Sequence, residues 1–323
     1  MINLIINHNM KFLFQMDDPR NFDINSDTTY LLIRETLKRK INCYYTHAND
    51  VHTVIIGKNN TIQARVSKIY LNKDNSLNYQ KSSLTNLNQF NAIFVRQDPP
   101  YNMQYISNTY LLSELEKQCL IVNNSLSLRN YPEKHIMMNF PSLTPPTIIS
   151  LEVKSILDFI NKYDTVILKP AYGNGGIGIK KIDKTQINLK QLITKYIKTF
   201  DSNPIVVQKF LPKYFRGDKR VILLGGNPIG AVLRVPAKNE IKSNFHAGGT
   251  AKKTLLTEKD KFICQSIKKF LIKNKLYFVG IDIIDGYLTE INITSPTGIH
   301  EINRMDNVQL EKKIINFFVK KIN

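Results

Sequence analysis

The 323-residue sequence predicts an α/β protein whose C-terminal part becomes α+β. Three observations carry that prediction. Strand-like and helix-like runs alternate from Phe12 to Asn123, a glycine-rich loop separates two strand-like runs near the middle, and paired strands with tight turn signals follow. In the first part, Phe12–Met16, Ile41–Thr46, Ala92–Val95 and Leu120–Asn123 read as strands, with Thr28–Arg39 and Ser107–Gln118 as helices between them. A β-α-β order predicts a parallel sheet with helices on its faces. Residues 50–90 are polar and rich in Asn and Ser, with strand-like pieces at Val51–Ile56 and Gln63–Tyr70, and read as an excursion from the sheet. Residues 1–9 precede the first core strand as a short extension or a misassigned start.

Pro141, Pro145 and Pro146 punctuate a break, after which Pro146–Ser150 begins a strand and Glu152–Tyr163 a helix. The run from Thr165 ends on Lys169 and Pro170, and the loop beyond carries Gly173, Gly175, Gly176 and Gly178. Glycines at this density let backbone N–H groups approach phosphate oxygens, because no Cβ intervenes. The letters also fit G-x-G-x-x-G, but that fingerprint needs a helix to start at the loop, and Ile177–Ile182 reads as a strand. Strand, glycine loop and strand make a flap for a nucleotide, the alternative being an ordinary glycine-rich hairpin. Further on, Ile205–Gln208 is a short buried strand. Lys219–Leu224 and Ile229–Val235 flank Gly225-Gly-Asn-Pro228, and Phe278–Ile284 and Tyr287–Ile293 flank Asp285-Gly286, both turn signals. Glu258–Lys273 has helical spacing, with Phe262, Ile263, Ile267, Phe270 and Leu271 as its apolar stripe.

The net charge of +19 and pI near 9.7 invite a nucleic-acid partner. The lysines are scattered, however, and no nucleic-acid-binding module is visible, so nucleic acid is not expected as a partner. No apolar run reaches the roughly 18 residues of a membrane span. Three dispersed cysteines, Cys43, Cys119 and Cys264, lack metal or redox spacing and suit a reducing, cytoplasmic setting. Motifs for a zinc hydrolase, a serine nucleophile or a cysteine–histidine pair are absent. The chemistry expected is phosphoryl and acyl transfer organised by charge.

Glu290 and Asn292 lie two apart on one strand and share a face, while Ile291 and Ile293 point to the core. A carboxylate beside an amide oxygen is a hard-cation arrangement of the kind that holds magnesium against phosphates; a solvated strand face is the alternative. Asp282 is a candidate third ligand whose placement depends on the turn. A two-residue Asp-Gly turn pairs Ile281 with Glu290, and a three-residue loop pairs Asp282 with Glu290. Arg220 opens one strand and Arg234 closes the next, placing two guanidinium groups, apt for bidentate phosphate binding, towards one end of the sheet. Pro236–Thr250, containing His246, has the length of a lid.

Lysine at a strand end, glycine loop, spaced arginines and an Asp…Glu-x-Asn set resemble the ATP-grasp carboxylate–amine ligases. Val95-Arg-Gln-Asp-Pro-Pro-Tyr101, Glu133-Lys134, Gly217-Asp-Lys-Arg220, Ala247-Gly-Gly249 and Thr289-Glu-Ile-Asn-Ile-Thr-Ser-Pro-Thr297 are similar, more closely, to the prokaryotic-type glutathione synthetase family. The correspondence runs in order through nearly the whole chain from Met10. It implies a Rossmann-like domain over residues 1–130, then an ATP-grasp domain over 131–323 with a lid subdomain at 146–210 and a catalytic core at 211–323. It implies ligation of glycine to γ-glutamylcysteine with ATP and magnesium, manganese being possible, by a cytoplasmic homo-oligomer.

By the same resemblance, Lys134, Lys169 and the glycine loop hold phosphates, and Gln208, Lys209, Phe210 and Leu211 line the adenine pocket. Arg220 and Arg234 face the transferred phosphoryl group, and Asp282, Glu290 and Asn292 bind the metal. Asp27, Thr28, Arg96, Asn244, Gly249, Ser295, Pro296 and Thr297 contact the peptide. Gln97, Lys209-Phe210, Gly298 and His300 depart from the family pattern, the last two at the substrate end. The rivals are an ATP-grasp ligase for a different acid, such as a peptide-tailoring or D-alanine ligase, and a catalytically silent nucleotide-binding or nucleic-acid-binding protein. The Asp-Pro-Pro and Thr-Ser-Pro-Thr segments argue against the first, and the intact Lys169, Glu290 and Asn292 against the second.

Overall fold

A computed structural model describes residues 9–173, 175–237, 240 and 248–323. The N-terminal sheet is built from β1 (Lys11–Met16), β2 (Asn42–His47), β3 (His52–Ile56), β4 (Asn59–Leu71), β5 (Leu77–Tyr79), β6 (Ser83–Asn86), β7 (Ala92–Val95) and β8 (Leu120–Val122). Its parallel part has the order β2-β1-β7-β8. Helices α1 (Thr28–Lys38) and α2 (Met103–Ser113) lie in two of the connections, as β-α-β order demands. The polar excursion is antiparallel: β4 pairs with β2 on the main sheet and carries β3, β5 and β6. Its two short strands β5 and β6 were not foreseen, because polar Asn- and Ser-rich runs give no alternation signal. The second helix begins earlier than its apolar residues indicate, because Asn102 caps it by accepting from the Tyr105 N–H at 3.0 Å.

A short helix α3 (Ser125–Asn130) leads out of this unit. The second sheet has the order β11-β10-β12-β9, from β9 (Thr147–Ser150), β10 (Thr165–Pro170), β11 (Lys180–Asp183) and β12 (Ile205–Lys209). Helices α4 (Val153–Tyr163) and α5 (Leu189–Thr199) cover one face with Ile156, Ile160, Ile193 and Tyr196, which pack on Val166, Leu168 and Val207 as a separate small core. Strand alternation sends Ile167 and Lys169 to the opposite face. The expected strand at Ile177 starts later, at Lys180, because Gly178 takes a φ of +80° and the chain turns through it.

The third sheet has the order β15-β14-β13-β16-β17, from β13 (Asp218–Leu224), β14 (Asn227–Val235), β15 (Thr250–Lys253), β16 (Phe278–Ile284) and β17 (Tyr287–Asn292). On one face Val221, Leu223, Val279, Ile281, Ile291 and Ile293 are buried with Ile263, Ile267 and Leu271 of α6 (Glu258–Lys273). Phe262, expected in that helix's stripe, is exposed, since it falls just off the face that Ile263 and Ile267 define. Two helices not assigned from sequence, α7 (Ile299–Asp306) and α8 (Leu310–Ile322), complete the other side. The second of these packs Phe318 edge-on against Phe94 at 5.2 Å, joining the first and third sheets in one core.

Asn123 fastens the same junction. Its amide donates to Phe278 O and Ile293 O, both at 2.7 Å, and its oxygen accepts from the N–H groups of Tyr277 and Phe278 at 2.8 and 2.9 Å. Asn123→Ala leaves four buried backbone groups without partners, at about 1–3 kcal/mol each before relaxation. The expected loss is about 3 kcal/mol or more, read in urea unfolding; a variant as stable as the wild type contradicts this account of the junction.

Candidate active site

A cavity of about 820 Å³ opens where the three sheets meet. Register explains its floor. Asp218 pairs with Arg234, Arg220 with Asp282, Asp282 with Glu290, and Gly280 with Asn292, so four neighbouring strands present these side chains on one face. The pairing of Asp282 with Glu290 arises by neither turn considered above. Asp285 and Gly286 form a two-residue turn with φ of +49° and +71°, and a bulge at Thr289 then shifts the register by one residue. The Thr289 hydroxyl donates to Asp282 O at 3.1 Å, and its side chain is buried in the bulge.

Asp282 accepts from Arg220 Nε at 2.5 Å and Nη2 at 2.9 Å, and Arg234 Nη2 reaches its second oxygen at 2.9 Å. Arg234 also donates to Asp218. Burial opposes the charge of Asp282, but the two guanidinium groups outweigh it and hold the carboxyl well below the usual range. Burial wins at Asp218, pushing its carboxyl up to about 6 against the pull of Arg234. Glu290 pairs with Lys134 Nζ at 3.1 Å, and the same ammonium donates to Gly173 O at 2.5 Å, tying the floor to the glycine loop. Lys169 donates to Gln208 Oε1 at 3.0 Å; burial lowers its pKa, with Glu290 opposing and Lys134 adding to the shift.

Most residues expected from the sequence line this cavity: Asp27, Arg96, Lys134, Lys169, Gly173, Gly175, Gly176, the run Gln208 to Leu211, Arg220, Arg234, Asp282, Glu290, Asn292, Ser295 and Thr297. Some expected residues stand elsewhere. Gly178 packs under the loop at a φ of +80°, where a Cβ would run into the Phe200 ring, so backbone conformation and packing both require glycine there. Thr28 is buried in the first turn of α1, and Thr29 takes its place on the wall, its hydroxyl accepting from Arg96 Nε at 3.0 Å. Pro296 offers its carbonyl to Arg96 and packs beside Gly280. Gly249 precedes β15 and is not among the lining residues, while Asn244 and His246 lie outside the described residues, as does most of the expected lid.

Two comparisons of sequence cover both halves of this arrangement. Residues 10–129 match the N-terminal domain of prokaryotic glutathione synthetase, and residues 133–307 its ATP-grasp domain. The chain belongs to the prokaryotic glutathione synthetase family. The glutathione synthetase of Bradyrhizobium diazoefficiens is 36% identical over 300 residues, 93% of this chain and 95% of that protein. That of Synechocystis is 34% identical over 323 residues, 96% of this chain and 99% of the relative. Among solved structures, D-cycloserine synthetase DcsG has a TM-score of 0.70 at 10% identity, covering 97% of this chain and 100% of its own. D-alanyl-alanine synthetase A from Vibrio cholerae has 0.61 at 12%, covering 97% and 98%. At such identities these two show the shared ATP-grasp fold.

The departures from the glutathione synthetase pattern now have places. Gln97 is buried away from the cavity, its oxygen accepting from Gln15 at 3.1 Å and Asn108 at 3.4 Å. Phe210 lies on the wall under Lys181, whose ammonium is 4.4 Å from the ring centre. Gly298 lines the cavity at a φ of +113°, and His300 Nε2 is 2.9 Å from Asp27 O. Sequence reading missed Glu133, Asp98, Asp218 and Glu301, all lining residues. Glu133 accepts from the Ile293 and Thr294 N–H groups at 3.2 and 3.3 Å, and so clamps the strand that carries Glu290 and Asn292. Its immediate neighbour Lys134 was the signal available for it.

Asp218 yields a pH prediction. Its folded pKa lies above the ordinary 3.8, so the folded state binds its proton more tightly. The stability it contributes therefore falls as pH rises from about 4 to about 6. Asp218→Asn should be more stable than the wild type at pH 7, with the difference shrinking towards pH 4 in thermal melts. A difference that grows on acidification contradicts the assignment.

Proposed function

We infer that the chain ligates glycine to γ-glutamylcysteine with ATP, giving glutathione, ADP and phosphate. Family membership across both halves supports the reaction, and one structural observation carries it: Lys134, Lys169, Arg220 and Arg234 face Asp282, Glu290 and Asn292 on a single cavity wall. This places anion-binding and cation-binding groups within one site, as an ATP–metal complex needs. The division at residue 130, the lid subdomain at 146–210 and the core at 211–323 belong to the same reading. So does a cytoplasmic homo-oligomer, whose reducing compartment accords with three buried, free cysteines.

The donor set fits a hard divalent cation. Glu290 and Asn292 offer oxygens on one strand face, with Asp282 opposite, and among the described residues no three His, Cys, Asp or Glu side chains converge. A site completed by phosphate oxygens and water suits magnesium, with manganese as the other candidate. Such a cation would neutralise charge on the phosphates. Gln208 to Leu211 receive the adenine, and Gly173, Gly175 and Gly176 cover the phosphates with Lys134 and Lys169. Asp27, Arg96, Ser295 and Thr297 contact the peptide, with Pro296 holding Arg96; the assignment of Asn244 and Gly249 to the peptide belongs to the same reading.

The charges on the cavity floor satisfy one another: Arg220 and Arg234 bind Asp282, and Lys134 binds Glu290. Incoming phosphates compete for these cations, and Asp282, Glu290 and Asn292 would then be the residues to hold a divalent cation. The γ-phosphoryl group then passes to the glycine-accepting carboxylate of the peptide. Arg220 and Arg234 stabilise the transferring oxygens. The amine of glycine attacks the resulting acylphosphate and phosphate leaves, water being excluded meanwhile.

ADP release by the purified protein should require γ-glutamylcysteine, glycine and a divalent cation together. Activity with D-alanine alone, and none with γ-glutamylcysteine, would overturn the substrate reading. Glu290→Ala and Asn292→Ala should each lower turnover at least 10²-fold while leaving the thermal midpoint within a few degrees. Normal turnover of both at saturating magnesium contradicts the cation site.

A further inference from the structure

The glycine loop is fastened at both ends, by different parts of the molecule. Where it returns to β11, the Tyr196 hydroxyl of α5 donates to Gly178 O at 2.7 Å, and the Phe200 ring lies against Gly178. Both partners belong to the same small core as β10 and β11. Where the loop leaves β10, the fastening comes from outside that unit. Tyr172 stands between two rings, stacked on Tyr101 at 5.7 Å and on His135 at 5.4 Å, each at an interplanar angle of 16°. Between the two ends, Gly175 and Gly176 take φ of +58° and +73°.

Both outer rings are held from behind. Tyr101 follows Pro99 and Pro100 out of the N-terminal sheet, its hydroxyl donates to Arg129 O, and its ring tilts against buried Tyr105 of α2 at 5.3 Å. His135 adjoins Lys134, whose ammonium reaches both Gly173 O and Glu290. Burial and the charge of Lys134 lower the pKa of His135, so a neutral imidazole meets the Tyr172 ring at pH 7. Aromatic rings prefer offset stacks with centroids about 4.5–7 Å apart, and both contacts fall in that range. None of the three rings is among the cavity-lining residues, whereas Gly173, next to Tyr172, is one of them. The stack therefore acts on the cavity through the backbone of the loop.

We propose that Tyr172 is a positioning residue for the nucleotide: clamped between Tyr101 and His135, it holds the entrance of the glycine loop in place before ATP arrives. The proposal rests on the reading of that loop as a nucleotide flap and deepens it. A flexible loop must be ordered when its ligand binds, and that cost lowers affinity unless the ordering precedes binding. The two stacks supply the ordering. Gly173 follows Tyr172 directly, and Lys134 meets its carbonyl and Glu290 together. Tyr101 makes the N-terminal unit part of the same support.

The test is the affinity for a non-hydrolysable ATP analogue with magnesium, measured by calorimetry on the whole protein. Tyr172→Phe keeps the ring and should bind within about twofold of the wild type. Tyr172→Leu loses both stacks and should bind about tenfold more weakly or worse. Tyr101→Leu and His135→Leu each remove one stack and should fall between. Once Tyr172 is replaced by leucine, adding Tyr101→Leu should weaken binding little further, because the two residues act through one contact. In glycine-dependent ADP release, Tyr172→Leu should raise the KM of ATP by the same factor, with kcat within about threefold and the KM of the peptide unchanged. Wild-type nucleotide affinity in Tyr172→Leu overturns the proposal. So does a Tyr172→Phe variant as weak as Tyr172→Leu, which would assign the effect to the hydroxyl, and so do fully additive losses in the double variant. Should Tyr101→Leu fail to fold, the variants at half-buried Tyr172 and His135 carry the comparison. A wild type that binds the analogue but does not turn over γ-glutamylcysteine sinks the reaction reading alone, since the affinity comparison needs no peptide.

Discussion

Two guanidinium groups share the carboxylate of Asp282 on the cavity floor, and the surrounding strands are arranged around that contact. A buried carboxylate with one partner removed costs about 3–5 kcal/mol, so the contact keeps both arginines on the floor until a competing anion takes their place. Arg234 reaches Asp218 as well, so the two guanidinium groups are held between two buried carboxylates. Preorganised cations need little reorganisation at the moment of transfer, which is where electrostatic catalysis gains its advantage.

That contact imposes a register. Asp282 must stand beside Arg220 on one side and Glu290 on the other, and the tight turn at Asp285-Gly286 alone would place it opposite Thr289. The bulge at Thr289 corrects the phase by one residue and leaves Ile291 and Ile293 in the core. Glu133 then clamps the far end of the same strand through the Ile293 and Thr294 N–H groups, while Lys134 holds Glu290. Adjacent residues of one short segment thus hold the C-terminal half of the strand that carries Glu290 and Asn292. Asn123, bonded to Phe278 and Ile293, carries the same alignment across to the N-terminal sheet.

Much of this was legible in the sequence because it follows from period-two alternation and turn chemistry. Ile291 and Ile293 flanking Asn292, Lys169 at a strand end, and the helix over Glu258–Lys273 are local patterns, and local physics decides them. The unread parts depend on contacts distant in sequence. Helix α8 carries Leu310, Ile314, Ile315 and Phe318 at helical spacing, but its role shows only when Phe318 meets Phe94. The bulge at Thr289 has no local signature, since it exists to satisfy Asp282 on another strand. Gly178 looked like its neighbours in the loop, and only the Phe200 ring beneath it separates a packing glycine from those on the cavity wall.

A nucleotide and its metal would exchange partners with this pre-paired set of charges. A crystal structure with a non-hydrolysable ATP analogue and magnesium tests it most directly. Lys134 should then have left Glu290 for a phosphate, at least one guanidinium should have left Asp282, and the cation should lie against Glu290 and Asn292. A bound nucleotide with the Lys134–Glu290 and Arg–Asp282 pairs intact, and the cation held elsewhere, would contradict it.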